Sequence, residues 1–208
     1  MRLVLASRND HKLRELAALL APIELDPLPA GIELPPETGT TFAENALTKA
    51  RAAAVATGRP ALADDSGIEA AALGGVPGVF SARYAGEQAS DEENLAKLLR
   101  EVPAEDRRVA YVCVLALVEP GEGEQLAHGR CEGTLSDRPR GHGGFGYDPA
   151  FVPREHPERT MAELTPEEKD AISHRGKAAR ELLTKLAERN DGAFPRGLFE
   201  AIRGRRPG

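Results

Sequence analysis

Asp64 and Asp65 stand side by side, followed by Ser66 and Gly67, directly after the short apolar run at 60–63. Adjacent carboxylates repel, so a purely structural role is disfavoured. A divalent cation removes the repulsion, and hard oxygen donors suit Mg²⁺. A carboxylate in this position can also take the proton from an attacking water. The competing reading is a turn, since Asp-Ser-Gly readily makes an Asx-capped bend. Either way the segment is expected at a strand end. Glu37, in Pro36-Glu37-Thr38-Gly39, is the candidate second metal ligand. Glu44 competes for that role, but Thr41-Phe42-Ala43-Glu44 is a capping-box pattern that already accounts for it.

A second cluster is Ser7-Arg8-Asn9-Asp10-His11-Lys12, polar throughout, between an apolar run and a helical pattern. A helix N-terminus offers unpaired backbone N–H groups and partial positive charge, which suit phosphate. Ser7 and Asn9 add hydrogen-bonding side chains and Lys12 adds a full charge. Asn9 or Asp10 serving only as the helix cap is an equal alternative. The glycines of a P-loop are missing. Lys49 is within reach of phosphate in principle, but alone it reads as a solvated helix charge. Gly143-Gly144-Phe145-Gly146-Tyr147-Asp148 sets two aromatics in a glycine frame. That is either a stacking platform for a base or a tight turn with its rings in the core. Ser173-His174-Arg175 opens a helix, with Lys169 upstream. These side chains suit the edge of a base or a phosphate clamp, although a lone His at a helix start is more often surface.

The elements that must hold these clusters alternate between strand and helix. Residues 3–6 read as a buried strand. Leu13, Leu16, Ala17 and Leu20 recur at helical spacing until Pro22. Phe42, Ala46, Ala50 and Ala54 mark a helix face that ends at Gly58. Residues 60–63 read as a strand, 73–86 as glycine-rich loop and 90–100 as a helix capped by Ser90. Residues 109–118 are Val-rich without clean alternation, so that strand is expected in mid-sheet, buried on both faces. Residues 125–130 and 149–152 are further strand candidates. Thr165-Pro166-Glu167-Glu168 is a helix start with Pro at the first helical position. Ser173 caps the next helix, with Ala179, Leu182, Leu183 and Leu186 at core spacing. The chain is therefore α/β with a central mixed sheet, and its polar clusters follow strands, where open α/β sheets place ligands.

Composition narrows the partners. Of 208 residues, 41% are hydrophobic, 29% charged and only 4% aromatic, with no Trp. Ala, Leu, Val and Ile must build the core, and each aromatic is more open to a specific task. The net charge of −6 disfavours nucleic acid as the main partner. Cys113 and Cys131 lack metal-type spacing and read as reduced thiols, pointing to the cytoplasm. No run approaches the length needed to span a bilayer, and the opening letters are too short for a signal peptide.

Taken in order, these clusters resemble the inosine triphosphate pyrophosphatase family, whose members hydrolyse deaminated purine nucleoside triphosphates. The resemblance runs from about residue 3 to 186. It is carried by the segments at 7–12, 41–46, 63–67, 74–78, 81–84, 144–149, 161–165, 168–169 and 172–175. It implies a pyrophosphatase domain at 1–189; the letters at 190–208, past the matched region, read as a Gly/Pro/Arg-rich tail with a turn of helix around 198–202. It further implies a two-lobed fold with a long central mixed sheet flanked by helices, the nucleotide in a cleft between the lobes, and a homodimer.

The implied chemistry is Mg²⁺-dependent attack of water at the α phosphate, giving a nucleoside monophosphate and pyrophosphate from ITP, dITP or XTP. On that resemblance Ser7, Arg8, Asn9, Asp10, His11 and Lys12 hold the phosphates. Asp65 is general base and metal ligand, Glu37 the second ligand, and Ser66 touches substrate. Phe145, Gly146, Tyr147, Asp148, Lys169, His174 and Arg175 hold the base and its surroundings. Arg8 is a departure, standing where the family often has Gly. Three rivals remain: a related pyrophosphatase for modified pyrimidines, a nucleotide sensor without Asp65 or Glu37 in use, and an RNA binder using the Arg-rich tail. The Phe-Gly-Tyr-Asp and Ser-His-Arg segments disfavour the first, and the acidity of the chain disfavours the last.

Overall fold

The structure is a computed structural model and describes residues 1–189; the expected tail at 190–208, with its turn around 198–202, lies outside the described residues. The elements in order are β1 (Arg2–Leu5), α1 (Asp10–Leu19), β2 (Glu24–Pro27), α2 (Phe42–Thr57), β3 (Ala61–Ala70), α3 (Asp91–Glu101), β4 (Arg108–Glu119), β5 (Gly123–Leu135), β6 (Phe151–Pro153), α4 (Pro166–Ile172) and α5 (His174–Arg189), with short 3₁₀ turns between. One six-stranded sheet has the order β2-β1-β3-β4-β5-β6. β1 runs parallel to β2 and β3, and β5 antiparallel to β6, so the sheet is mixed as expected.

The chain divides into two compact units. The first comprises Met1–Asp65, Val114–Gly129 and the chain from Arg175; the second comprises Ser66–Cys113 and Arg130–His174. Each has its own apolar cluster. In the first, Val4, Ala6, Ala61, Ala63 and Ala116 meet Ala46, Ala50, Ala53 and Ala54 of α2. Alanines keep the helix backbone close to the strands, so polar side chains on the same stripe of α2 also reach inward. In the second, Leu95 and Leu98 of α3 join Val109, Tyr111, Phe151, Met161 and Leu164.

Local signals fixed most helix starts. Capping boxes close at Thr41 with Glu44, Ser90 with Glu93, and Thr165 with Glu168, the last with Pro166 in the first turn. Gly58 ends α2 in the left-handed conformation that lacks a Cβ penalty. β4 is buried along nearly its whole length, as its unbroken apolar run requires.

Two expectations need correction, and one strand was not anticipated. Asp64-Asp65-Ser66-Gly67 is not at a strand end: β3 runs straight through it. β3 lies between β1 and β4 in the sheet, and strand pairing there outweighs the local preference for a turn. Gly67 makes the passage possible, because a Cβ there would stand 2.4 Å from both Gly78 O and Ser81 Oγ. The stretch 73–86 is not plain loop: it follows a 3₁₀ turn at Ala71–Leu73 and contains another at Gly78–Arg83. β2 has no strand-like pattern of its own. Its pairing with β1 makes it one, and Pro27 is tolerated because β2 is an edge.

Candidate active site

In the first unit a set of charges gathers around β3. Successive residues of a strand point to opposite faces, which separates the two carboxylates. Asp64 is fully buried. It accepts the Lys12 ammonium at 2.9 Å and lies 3.6 Å from the Arg175 guanidinium, which also pairs with Glu15 at 3.1 Å. Burial alone would raise the Asp64 carboxyl, but Lys12, Arg175 and Lys49 hold it far below the ordinary carboxylate range. Asp64 therefore stays ionised and fixes two cations in place.

Asp65 is only 4% exposed and accepts a hydrogen bond from Asn45 Nδ2 at 2.9 Å. Burial pushes its carboxyl up, Lys49 pulls it down and Glu37 pushes it up again, leaving it at about 6. The repulsion from Glu37 places two hard-oxygen donors within electrostatic reach of each other. Lys49 pairs with Glu37 and donates to Asp64 O at 2.6 Å. It is buried, not the solvated helix charge expected. Burial disfavours its charge, yet Asp64, Glu37 and Asp65 together raise its pKa above the ordinary value. Lys49 lies on the stripe Phe42, Asn45, Ala46, Lys49, Ala50, Ala53. The spacing that marks the helix core was the available signal, hidden because two of its letters are polar. Glu44 is spent on its cap, accepting from the backbone of Thr40 at 2.8 Å and Thr41 at 3.2 Å.

The 7–12 loop is arranged as a helix entry. Asn9 is the cap, its Oδ1 accepting from the N–H groups of His11 and Lys12, and Ser7 Oγ accepts from Asn9 N–H. Asp10 opens α1, and His11 faces Arg14 at 3.2 Å. Arg8 turns its guanidinium onto the carbonyls of Leu28, Pro29 and Ile32 at 3.0, 3.2 and 2.7 Å. Its extra bulk thus braces the following loop. Arg8→Ala is expected to speed amide hydrogen exchange over 28–32 roughly tenfold, since charged hydrogen bonds contribute about 1.5–3 kcal/mol each. Nucleotide KM should change little. A large rise in KM with unchanged exchange would put the guanidinium on phosphate instead.

In the second unit the glycine-framed turn is organised by Asp148. Its carboxylate, 3% exposed, accepts from Lys169 Nζ at 2.8 Å, Tyr111 OH at 3.1 Å and Phe145 N–H at 2.9 Å. Gly144 must be glycine: its φ is +71°, and a Cβ would stand 2.1 Å from Asp148 Oδ2. The Phe145 ring lies under the Lys169 ammonium, 5.2 Å from its centroid. Gly146 N–H donates to Asp91, and the buried Tyr147 OH donates to Ser81 O at 2.7 Å. Tyr147 is thus a core ring, while Phe145 is half-buried. The His174 ring stacks on Tyr111 with centroids 4.6 Å apart, and Tyr111 stacks on Phe151 at 4.3 Å. Sequence reasoning did not single out Tyr111; the scarcity of aromatics was the only cue. Ser66 is half-buried in β3.

The first set can bind an anion and accept a proton; the second offers ring faces beside a cation. Among the described residues, no three or more of His, Cys, Asp and Glu form a ready metal cluster.

The Ham1 family sequence model matches residues 3–185. The chain belongs to the Ham1 family. Among curated Ham1 relatives, it is 54% identical over 200 residues to a dITP/XTP pyrophosphatase of Frankia alni, covering 90% of this chain and 98% of that one. It is 51% identical over 193 residues to one from Pectobacterium atrosepticum, covering 89% and 98%. Among solved structures, a HAM1 protein from Coxiella burnetii superposes with a TM-score of 0.81 at 47% identity, covering 90% of this chain and 99% of that chain. The Ham1 protein of Staphylococcus aureus gives 0.82 at 39%, covering 91% and 100%.

Proposed function

We infer that this Ham1 chain is a dITP/XTP pyrophosphatase, a hydrolase that cleaves deaminated purine nucleoside triphosphates to the monophosphate and pyrophosphate. The observation that carries the reading is the buried Asp65 carboxyl, pushed up to about 6 beside Glu37, with Lys12 and Arg175 on the adjacent Asp64 and Lys49 on Glu37 in the same unit. Phosphoryl chemistry depends mainly on such positioning and charge stabilisation.

Asp65 and Glu37 suit Mg²⁺: they are hard oxygen donors under mutual repulsion, and Mg²⁺ commonly takes one or two carboxylates with phosphate and water completing its shell. When bound, Mg²⁺ would neutralise phosphate charge and relieve that repulsion. The remaining work falls to the chain. Lys12 and Lys49 bind the triphosphate, joined by Arg175, which the resemblance put at the base but which stands on Asp64 and Glu15; Ser7, Arg8, Asn9, Asp10 and His11 form the helix entry beside Lys12. Asp65 takes a proton from the water whose oxygen bonds to the α phosphorus. The bond from that phosphorus to the bridging oxygen breaks, and pyrophosphate leaves with its electron pair. Ser66 follows Asp65 and touches the substrate.

Phe145 binds the base, with Gly146 and Tyr147 shaping the turn, and Asp148, Lys169 and His174 around it. Donors aimed at a 6-keto oxygen reject adenine, whose 6-amino group leaves a buried polar group unpaired at about 1–3 kcal/mol. The pyrophosphatase domain spans 1–189. No helix among the described residues is long and apolar enough to cross a membrane, and the buried thiols of Cys113 and Cys131 favour a cytoplasmic setting.

The test is product analysis with ITP, dITP, XTP, GTP and ATP, each with and without Mg²⁺. Metal-dependent pyrophosphate from the first three is expected, with GTP and ATP nearly untouched. Equal turnover of all five would sink the base selectivity. Tight ITP binding without turnover would make the protein a sensor.

A further inference from the structure

We infer that Asn45 is a positioning residue that ties the loop carrying Glu37 to the carboxylate of Asp65, so that one buried amide sets the spacing of both proposed Mg²⁺ donors. This rests on the roles given above to Asp65 and Glu37. Asn45 lies in the first turns of α2 and is 2% exposed. Its Oδ1 accepts from the backbone N–H of Gly39 at 2.8 Å, and its Nδ2 donates to Asp65 Oδ2 at 2.9 Å. A backbone N–H only donates, so the amide oxygen must face Gly39 and the nitrogen must face Asp65. The orientation follows from the partners.

Gly39 lies two residues after Glu37. A Cβ on it would stand 2.6 Å from Asn45 Oδ1 and 2.8 Å from Glu44 Cβ, so the close approach needs glycine. One turn further along the same stripe, Lys49 holds Glu37 itself. Residues four apart on a helix share a face, so α2 grips Asp65 through Asn45 and Glu37 through Lys49. Mg²⁺ demands near-ideal octahedral geometry, and loosening one grip moves the two donors relative to each other.

The test uses the full chain with Asn45→Ala, Asn45→Asp and Gly39→Ala. Hydrogen bonds to a charged group contribute enough to change a rate about tenfold to a hundredfold. Asn45→Ala should therefore lower kcat for dITP by about that factor and raise half-saturating Mg²⁺ roughly tenfold. KM for dITP at saturating metal should stay within about threefold, a split that a general loss of structure would not give. In metal-free protein, amide exchange over 37–40 should quicken. Asn45→Asp keeps an acceptor for Gly39 but sets carboxylate against carboxylate: it should preserve that exchange protection and still lose kcat and metal affinity. Gly39→Ala should reproduce both defects of Asn45→Ala by crowding the amide oxygen while leaving Asn45 in the sequence. If Asn45→Ala fails to fold, the other two variants decide. Wild-type kcat and Mg²⁺ dependence, or a defect confined to KM, overturns the inference, as does unchanged exchange over 37–40 in Asn45→Ala. If the unaltered protein releases no pyrophosphate from dITP, the roles of Asp65 and Glu37 fail instead, and the exchange experiment alone judges the tie.

Discussion

Asp65→Asn should lower kcat by about 10²–10⁴-fold, the range for losing a positioned proton acceptor, while making the metal-free protein more stable. The second half follows from linkage. The Asp65 carboxyl titrates at about 6 in the fold against an ordinary 3.8, so the folded state disfavours its charge. The folded protein holds that proton more tightly than the unfolded chain, and stability from this group falls as pH rises from about 4 to about 6. Above 6 the full cost is present, on the order of 2–3 kcal/mol at 1.36 kcal/mol per unit. Asparagine is neutral and still offers an acceptor to Asn45 Nδ2. At pH 8 without metal, Tm should rise by several degrees, and the gain should shrink towards nothing near pH 4. Thermal melts of both proteins from pH 4 to 8 check this. A variant with near-full Mg²⁺-dependent turnover would remove Asp65 from the chemistry. A variant less stable at pH 8 would mean the carboxylate is there for the fold.

Asp148→Ala should have the opposite character, a large loss of stability. Its carboxylate meets Lys169, Tyr111 and the Phe145 N–H inside the second unit, and Lys169 is itself only 8% exposed. Removing one partner of a buried ion pair leaves the other charge unpaired, at about 3–5 kcal/mol. For a chain of this size that lowers Tm by on the order of 10 °C. Adding Lys169→Met should recover much of the loss, because the stranded ammonium is gone, yet activity should not return, since Phe145 loses both its anchor and its cation. Calorimetry of the single and double variants decides. A single-variant fall of under about 2 °C would show that the pair is solvated and the turn held by other contacts.

What could be read beforehand was whatever is encoded locally. The capping boxes at Thr41, Ser90 and Thr165 involve residues three apart, and β4 is a single run of apolar letters, so these elements were legible. The course of β3 was not. Asp-Ser-Gly favours a bend when considered alone, and only neighbours on both sides, with Gly67 packed under Gly78 and Ser81, keep the strand extended. The site divides in the same way. Asp65 and Glu37 stood out as carboxylates without a structural excuse. Lys49 and Asn45 were concealed on an otherwise apolar stripe, because counting hydrophobic letters skips polar ones that face inward. Tyr111 was out of reach, since it meets Asp148 across 37 residues of sequence. Arg8 is a different case: the resemblance put it at the phosphates, and in the fold its guanidinium meets three carbonyls twenty or more residues downstream.

Neither compact unit is an uninterrupted stretch. The chain passes from one to the other between Asp65 and Ser66, between Cys113 and Val114, between Gly129 and Arg130, and between His174 and Arg175. Two of those junctions cut through pairs of consecutive residues assigned here to the substrate. No single recombination breakpoint can therefore exchange one unit for a homologue's while leaving the other intact. Exchanging one unit for a homologue's takes several matched crossovers, one at each passage of the chain.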